Sequence, residues 1–513
     1  MNFERNISTT QITWVVGLLV GLGVAFILGS AIGSQDFQKV LLILGAGIGT
    51  AVFLALGKHY WLLIPFSLGA KFPALPLGGR NLEFPELAIA GCSLFFILRV
   101  ATRREKLHFF RAVNAPFLLF MAWVGMVFIL NPIGLAMMGS SVGGGRFYLK
   151  LGLAFAAFVI LSSRSYTEKD MRWVLGFLVF GAFFSAIYGI AEYALVGPQI
   201  DPTSGMVVES FYSWHQVLSV PATTIAFLIF ARWSPKEVFG IQRLGIFVTY
   251  LLCIGFILLS GKRIALASMI LAPVVSAIVF RQPKYILVAG VLVFGGLMTI
   301  VAGQGQWLNL PLVAQRTLSW LPGDWDPELE TMRGGTDEWR AELRRVALEN
   351  ISRDPIVGRG FAIDLQETVT AIGMQARGGE MEIQAAAYAL GRSWHNTWLG
   401  YAADFGIPFA LLQAIILGSV LILSFKTFRY YGNSSPFGVF ALYVFIFTCR
   451  DVMASWTSGH SALDAYDRWW MYGIVVALYL QSTLTKARSD RPMDRQRLQS
   501  EQMPPTPAEA VAN

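Results

Sequence analysis

The residues that can do chemistry are few, and most of them gather in the last half of the chain. His395 stands in Ser393-Trp394-His395-Asn396-Thr397-Trp398, where a polar segment gives way to an apolar one. A neutral imidazole with a pKa of about 6.5 can take a proton from a hydroxyl group. Flanked by tryptophans, it can equally be a residue tolerated at headgroup depth between interfacial anchors. Upstream, Arg340 and Arg344 are four residues apart, so on a helix they share a face. That face either meets an anionic substrate or lies solvated on a membrane surface, its arginines paired with Glu338 or Glu349. A third element is Ser260-Gly261-Lys262-Arg263, between two apolar runs. The arginine fork suits phosphate oxygens and Lys262 can join it; alternatively Arg263 snorkels to lipid headgroups. Arg146 follows Gly143-Gly144-Gly145, glycines that permit close approach to an anion or simply form a turn.

Other chemistries lack their signatures. His59, His108, His215, His395 and His460 are scattered without metal-ligand spacing, so neither a metal nor a cofactor is expected. GxGxxG, P-loop and HExxH patterns do not occur, and no lysine-rich groove suggests nucleic acid. Cys92, Cys253 and Cys449 all fall in apolar segments, which points away from a disulfide framework.

The elements that must position these residues are membrane helices. Of 513 residues 55% are hydrophobic and only 14% charged, with a mean hydropathy of +0.55; a soluble domain carries roughly 25% charged residues. Apolar runs of spanning length lie at 12–33, 38–57, 83–101, 114–136, 147–163, 172–195, 214–232, 243–260, 263–280, 284–303, 404–425, 436–453 and 467–484. A weaker run at 60–76, interrupted by prolines, brings the expected number of helices to between about 12 and 14. The alternation of a membrane β-barrel is absent, so the fold class is an all-α polytopic membrane protein. The net charge of +8 resolves into clusters on alternate short loops: Arg99 to Arg111, Arg164 to Arg172, Arg232 to Arg243, Arg281/Lys284, Lys426/Arg429 and the tail. Basic short loops mark the cytoplasmic side. By the same alternation the long segment between the tenth and eleventh strong runs lies on the far face.

The chain thus divides into an N-terminal bundle (1–303), a large external loop (304–394), C-terminal spans (395–485) and a disordered cytoplasmic tail (486–513). From Gly303 to Trp394 there are nine arginines, no lysine and thirteen acidic residues, a net negative balance that suits a translocated loop. This is the only extramembrane stretch long enough to fold by itself. Within it, Thr336 to Arg353 reads as a short amphipathic helix capped by Thr336, with Trp339, Leu343, Val346 and Ile351 on its apolar stripe. Pro355 stops it, and Gly358 and Gly360 mark the turn that follows.

In three places the sequence resembles the O-antigen ligase and O-antigen polymerase family of membrane glycosyltransferases. Ser260-Gly261-Lys262-Arg263-Ile264-Ala265 is similar to the family's Ser-x-Arg-x-Ala stretch. Arg340, Ala347-Leu348, Ile351, Pro355-Ile356, Gly358 and Gly360 match its loop pattern of arginine, helix, then Pro-x-x-Gly-x-Gly. His395-Asn396-x-x-Leu399 followed by Gly406 matches its His-Asn element. Where the family often has tryptophan four residues after the loop arginine, this chain has Arg344.

The resemblance implies a fold of the GT-C type, as in lipid-linked sugar transferases. It implies a glycan donor carried on a polyprenyl diphosphate such as undecaprenyl diphosphate, and a lipid or glycan acceptor. The site would be on the periplasmic face of a bacterial inner membrane, in lipopolysaccharide or polysaccharide biosynthesis. Arg263 and Arg340 would hold the diphosphate, helped by Lys262, Arg344 and Arg146. His395 would act as base, and Asn396 would orient it or the acceptor. No metal is implied, and a lipid-glycan flippase is a natural neighbour. The competing reading is a transporter or flippase of lipid-linked sugars, for which Arg450, Asp451, Asp464 and Arg468 would be the intramembrane charges. No internal repeat supports it.

Overall fold

A computed structural model describes residues 51, 53, 55–69, 75–77, 80–107, 112–131, 145–196, 217–361, 394–456 and 464–489. The apolar run at 12–33, most of that at 38–57 and the tail after Ser489 lie outside the described residues, as do Gly143, Gly144, His108, His215 and His460.

The chain is an α-helical bundle. In order the helices are α1 (Leu63–Gly69), α2 (Phe84–Ala101), α3 (Ala115–Leu130), α4 (Gly145–Ser162), α5 (Glu168–Val196), α6 (Ser219–Arg232), α7 (Leu244–Leu259), α8 (Arg263–Val279), α9 (Lys284–Gly303), α10 (Leu312–Leu318), α11 (Pro327–Arg353), α12 (Thr397–Phe405), α13 (Ile407–Tyr431), α14 (Pro436–Ala454) and α15 (Asp464–Ser489). Seven of them are long and apolar enough to cross a membrane, and α3, α6 and α8 are shorter apolar helices. The ends follow local chemistry. Proline occupies the first turn of α2, α3, α13 and α14, where its missing N–H costs nothing. Glu83 and Glu86 form a capping box on α2, and Ser435 caps α14.

The weak run at 60–76 departs from its expected form. It is a 3-10 turn from Gly57 to Leu62 continued by the seven-residue α1, too short to span a bilayer as one helix. A small antiparallel hairpin follows, pairing Leu75–Leu77 with Arg80–Leu82.

Large aromatic side chains centre the core. Phe117 of α3 stacks on Phe158 of α4 at 4.0 Å, and Trp469 of α15 meets Phe120 edge-on at 4.6 Å. Contacts between helix ends assign the two faces of the bundle. At one end Arg164 donates to Glu105 at 2.8 Å, the backbone N–H of Tyr166 to Gln481 at 3.2 Å and that of Lys236 to Gln282 at 3.0 Å. Lys58, Arg99, Arg232, Arg243 and Lys486 lie in these same loops and helix ends. The alternation of basic loops therefore corresponds to one physical end, the one expected to be cytoplasmic. The opposite end gathers the starts of α4, α8, α12 and α15 and the ends of α7, α9 and α14.

The described part of the long loop packs on that opposite end. Leu318 of α10 is fully buried within the main core, with Leu310, Leu321 and Trp325 packed against it. Thr317 donates to the carbonyl of Leu258 at the end of α7 at 3.1 Å.

Candidate active site

α11 is longer than its sequence signals suggest. Thr336, read as the cap, is an interior residue of a helix that starts nine residues earlier at Pro327. Proline suits a first turn, and the helix formers that follow it carry the helix through Gly334-Gly335. Beyond this start the residues 340–353 behave as expected. Leu343 and Ala347 are buried on one stripe and join Trp394 and Ala403 in a small cluster of their own, bordered by Val346, Ile351 and Leu399. α11 thereby lies against α12.

The start of α12 is shaped around Trp394. Its indole lies over Gly400, where an added Cβ would sit 2.8 Å from the ring. The indole Nε1 donates to both carboxylate oxygens of buried Asp404 at 3.2 and 3.3 Å. Asn396 caps the helix, its Oδ1 accepting from the N–H of Leu399 at 3.1 Å. The N–H of Thr397 donates to the carbonyl of Ser455 at the end of α14 at 2.9 Å. Between these anchors His395 has φ +49°. Left-handed backbone costs a non-glycine residue roughly 1–2 kcal/mol. The anchored flanks hold His395 there, half-buried, and strain of this kind concentrates at functional sites.

The glycines after α11 complete the assembly. Gly358 (φ +65°) and Gly360 (φ +62°) both occupy left-handed backbone, and a Cβ on either would meet neighbours at 2.6 and 2.2 Å, respectively. The N–H of Gly360 donates to the carbonyl of Asp404 at 2.6 Å, and that of Ile407 to the carbonyl of Pro355 at 2.8 Å. Gly406, between α12 and α13, lies so close to Ile356 that only glycine fits. Phe361 then inserts between Phe147, Tyr148 and Phe405, each at 5.1 Å. The Pro-x-x-Gly-x-Gly spacing is thus the shape of a backbone latch between the loop and the α12–α13 junction.

The expected site residues fare differently. Arg340, half-buried, lies one turn before Leu343, and His395 directly follows Trp394, so each adjoins in sequence a side chain of the Leu343–Trp394 cluster. Arg344 is exposed, and its Nε donates to the carbonyl of Arg340 at 3.3 Å; the two arginines do not present one equivalent face. Arg345 next to it is engaged by Glu342 and Glu349, and this pairing holds the Glu342 carboxyl below the usual carboxylate range.

Arg263 opens α8 and is held by α10, donating to the carbonyl of Arg316 at 3.2 Å and to Ser319 at 2.9 Å. Gly261 (φ +70°) lets the preceding turn pack on Val313, and Lys262 is half-buried beside it. This pair belongs to the same end of the bundle as His395, but with different neighbours. Arg146 has acidic neighbours. It is buried and bound to Glu86 at 3.1 Å and Glu83 at 3.3 Å, with Lys150 at 2.7 Å from Glu83, so it ties α4 to α2 instead of lying open to an anion. Asn396 likewise uses its carbonyl as a helix cap.

Three further groups belong here. Arg359, between the two latch glycines, places its guanidinium 6.0 Å from the Trp394 ring and donates to Asn350 at 3.3 Å. Asp404 orients Trp394. Asp451, which is 1% exposed, pairs with Arg450 at 3.1 Å and Arg468 at 3.0 Å. Asp451 lies one turn before Ser455, at the helix end beside α12, so these charges are at the same end of the bundle as α12. The sequence carried a signal for Asp404 and Asp451, since acids inside apolar runs are costly; Arg359 had none beyond its glycine neighbours.

All but one of the expected residues, together with Arg359 and Asp404, fall in a single stretch. Residues 248–414 match the O-antigen ligase family. No curated protein matches the chain. The O-antigen ligase stretch runs from α7 to the first turns of α13 and contains Lys262, Arg263, Arg340, Arg344, His395 and Asn396, leaving out only Arg146. The match supports a membrane glycosyltransferase type of function.

Proposed function

We propose that this protein transfers a glycan from a polyprenyl-diphosphate lipid to an acceptor hydroxyl on the external, periplasmic face of a bacterial inner membrane. It does so as an O-antigen ligase or a repeat-unit polymerase. The observation that supports the reading is the packing of Leu343 and Ala347, on the helix that carries Arg340, against Trp394, the neighbour of a His395 held at φ +49°.

The acceptor oxygen attacks the anomeric carbon as the bond from that carbon to the diphosphate oxygen breaks. His395 takes the hydroxyl proton, and the negative charge leaves on the lipid diphosphate. Preorganised cations stabilise such developing charge best where water is sparse. Arg340 acts on the leaving group, and Arg359, its guanidinium against the Trp394 ring, assists it. Arg263 and Lys262 take the lipid-proximal end of the diphosphate. The diphosphate already activates the anomeric carbon, so the chemistry asks for no nucleotide cofactor or metal.

The test is complementation of two null strains, one lacking ligase and one lacking polymerase, by wild type and by His395→Ala. Wild type restores either capped core or long chains. His395→Ala restores neither at equal membrane abundance. Full transfer by the variant overturns the base role, and rescue of lipid-linked sugar export without glycan transfer favours the transporter reading.

A further inference from the structure

At the cytoplasmic end, far from His395, a cavity of about 340 Å³ is bounded by Lys58, Arg99, Arg104, Glu105, Lys106 and Arg164. Five cations face one carboxylate. Glu105 is already used three ways: it accepts from Tyr60 at 2.9 Å and pairs with Arg164 at 2.8 Å and Arg99 at 3.1 Å. Its contacts fix the two arginines as the floor of the cavity. Arg164 is further held against the rings of Tyr60 and Trp61, 5.5 Å from each, and Arg99 against Phe95 at 5.8 Å. Lys58, Arg104 and Lys106 remain exposed on the rim, and Arg104 is turned back over α2 by Arg103 at φ +56°, its N–H donating to the carbonyl of Arg99 at 2.8 Å. Ser163 also lines the cavity; its hydroxyl is buried and makes no hydrogen bond among the described residues.

An excess of fixed cations around a spare hydroxyl suits phosphate oxygens. The surface beside the cavity indicates which phosphate. The last turns of α2, which carry Arg99 and lead into the turn with Arg104, expose Leu94, Ile97 and Leu98, each more than half accessible. On a membrane helix this is an acyl-chain surface, and it leads directly to the cationic mouth.

We propose that this cavity is a binding site for the headgroup phosphate of an anionic phospholipid of the inner leaflet, whose acyl chains lie along Leu94, Ile97 and Leu98. Basic pockets between membrane helices on the cytoplasmic side are built for such headgroups. The site clamps the loops after α2 and α4 against the 3-10 turn at Lys58.

Native mass spectrometry of the detergent-solubilised full chain tests it, with dioleoylphosphatidylglycerol, dioleoylphosphatidylcholine and soluble glycerol 3-phosphate as probes. Wild type should retain phosphatidylglycerol well above phosphatidylcholine, and millimolar glycerol 3-phosphate should not displace it. Each rim cation is worth roughly fivefold to an anionic headgroup. Lys58→Ala/Arg104→Ala/Lys106→Ala should therefore weaken phosphatidylglycerol at least tenfold, and Arg104→Gln alone by a few fold. Lys236→Ala/Arg243→Ala, basic positions on another loop of the same end, should leave it unchanged. Retention by the triple variant, equal loss in the loop control, or equal binding of phosphatidylcholine overturns the proposal. Displacement by glycerol 3-phosphate overturns the lipid assignment and leaves a soluble phosphate as the ligand. Rim residues are exposed, so thermal unfolding of the triple variant should match wild type; if it does not, Arg104→Gln decides.

Discussion

Replacing Gly406 by alanine is expected to open the latch that fixes Arg340 and Arg359 relative to His395, while leaving the bundle folded. Gly406 has φ +86° and ψ 163°, a region essentially reserved for glycine, where a side chain costs about 1–3 kcal/mol. The new Cβ would also sit 1.8 Å from the carbonyl oxygen of Ile356. To regain an ordinary contact of about 3.3 Å, the loop must retreat by roughly 1.5 Å. That movement breaks the bonds from Ile407 to Pro355 and from Gly360 to Asp404, each contributing about 1 kcal/mol. Together the latch loses roughly 3–5 kcal/mol, enough to leave it mostly undocked. A displacement near 1 Å at a reacting centre costs about 100-fold in rate. Gly418→Ala in α13 is the control, because nothing lies within 4 Å of its added Cβ and alanine favours the helix by about 1 kcal/mol. The assay is glycan transfer in a null strain at matched membrane abundance, with limited proteolysis after α11 as the readout of docking. If Gly406→Ala transfers glycan at the wild-type rate while the loop becomes protease-sensitive, the latch does not align the site.

Other substitutions separate chemistry from scaffolding. Arg146→Ala should lower the amount of folded protein, not donor affinity, because breaking a buried ion pair costs about 3–5 kcal/mol; thermal unfolding of the purified protein checks it. Asn396→Ala should destabilise α12 by about 1 kcal/mol, whereas Asn396→Ser, which can still cap, should retain most transfer in the same null-strain assay. Arg340→Ala and Arg359→Ala should each reduce donor-lipid binding, and unchanged affinity in both would remove them from the diphosphate's neighbourhood. Trp394→Phe keeps the ring but leaves Asp404 without its indole donor, costing roughly 1.5–3 kcal/mol. Transfer in that variant should fall further at elevated temperature than at low temperature.

The spans were legible because a lipid-facing helix needs a long apolar run, and α2, α4, α5, α7 to α9 and α14 begin and end within four residues of theirs, with α3, α6, α13 and α15 offset by five or six residues at one end. Prolines made 60–76 ambiguous, and there the chain forms a 3-10 turn and one short helix. The loop was harder to read. Gly334-Gly335 looks like a break ahead of Thr336, but local propensity from Pro327 onward carries the helix through both. Arg340, Gly358, Gly360 and His395 were visible as types and spacings. What spacing could not convey is that the glycines latch onto a junction nearly fifty residues downstream. Nor could it tell that Arg146 meets Glu83 and Glu86 across some sixty residues of sequence. Such pairings depend on which helix ends become neighbours.

The cluster of Leu343, Ala347, Trp394 and Ala403 is separate from the core that holds the membrane helices together. A satellite of so few side chains opens at a lower free energy than the whole molecule. Heating should therefore produce an interval in which the protein is helical, membrane-embedded and silent, and cooling should return activity without refolding. The temperature at which the proposed transfer stops would then be set by four side chains, leaving the bundle free to be far more heat-resistant than the reaction it supports.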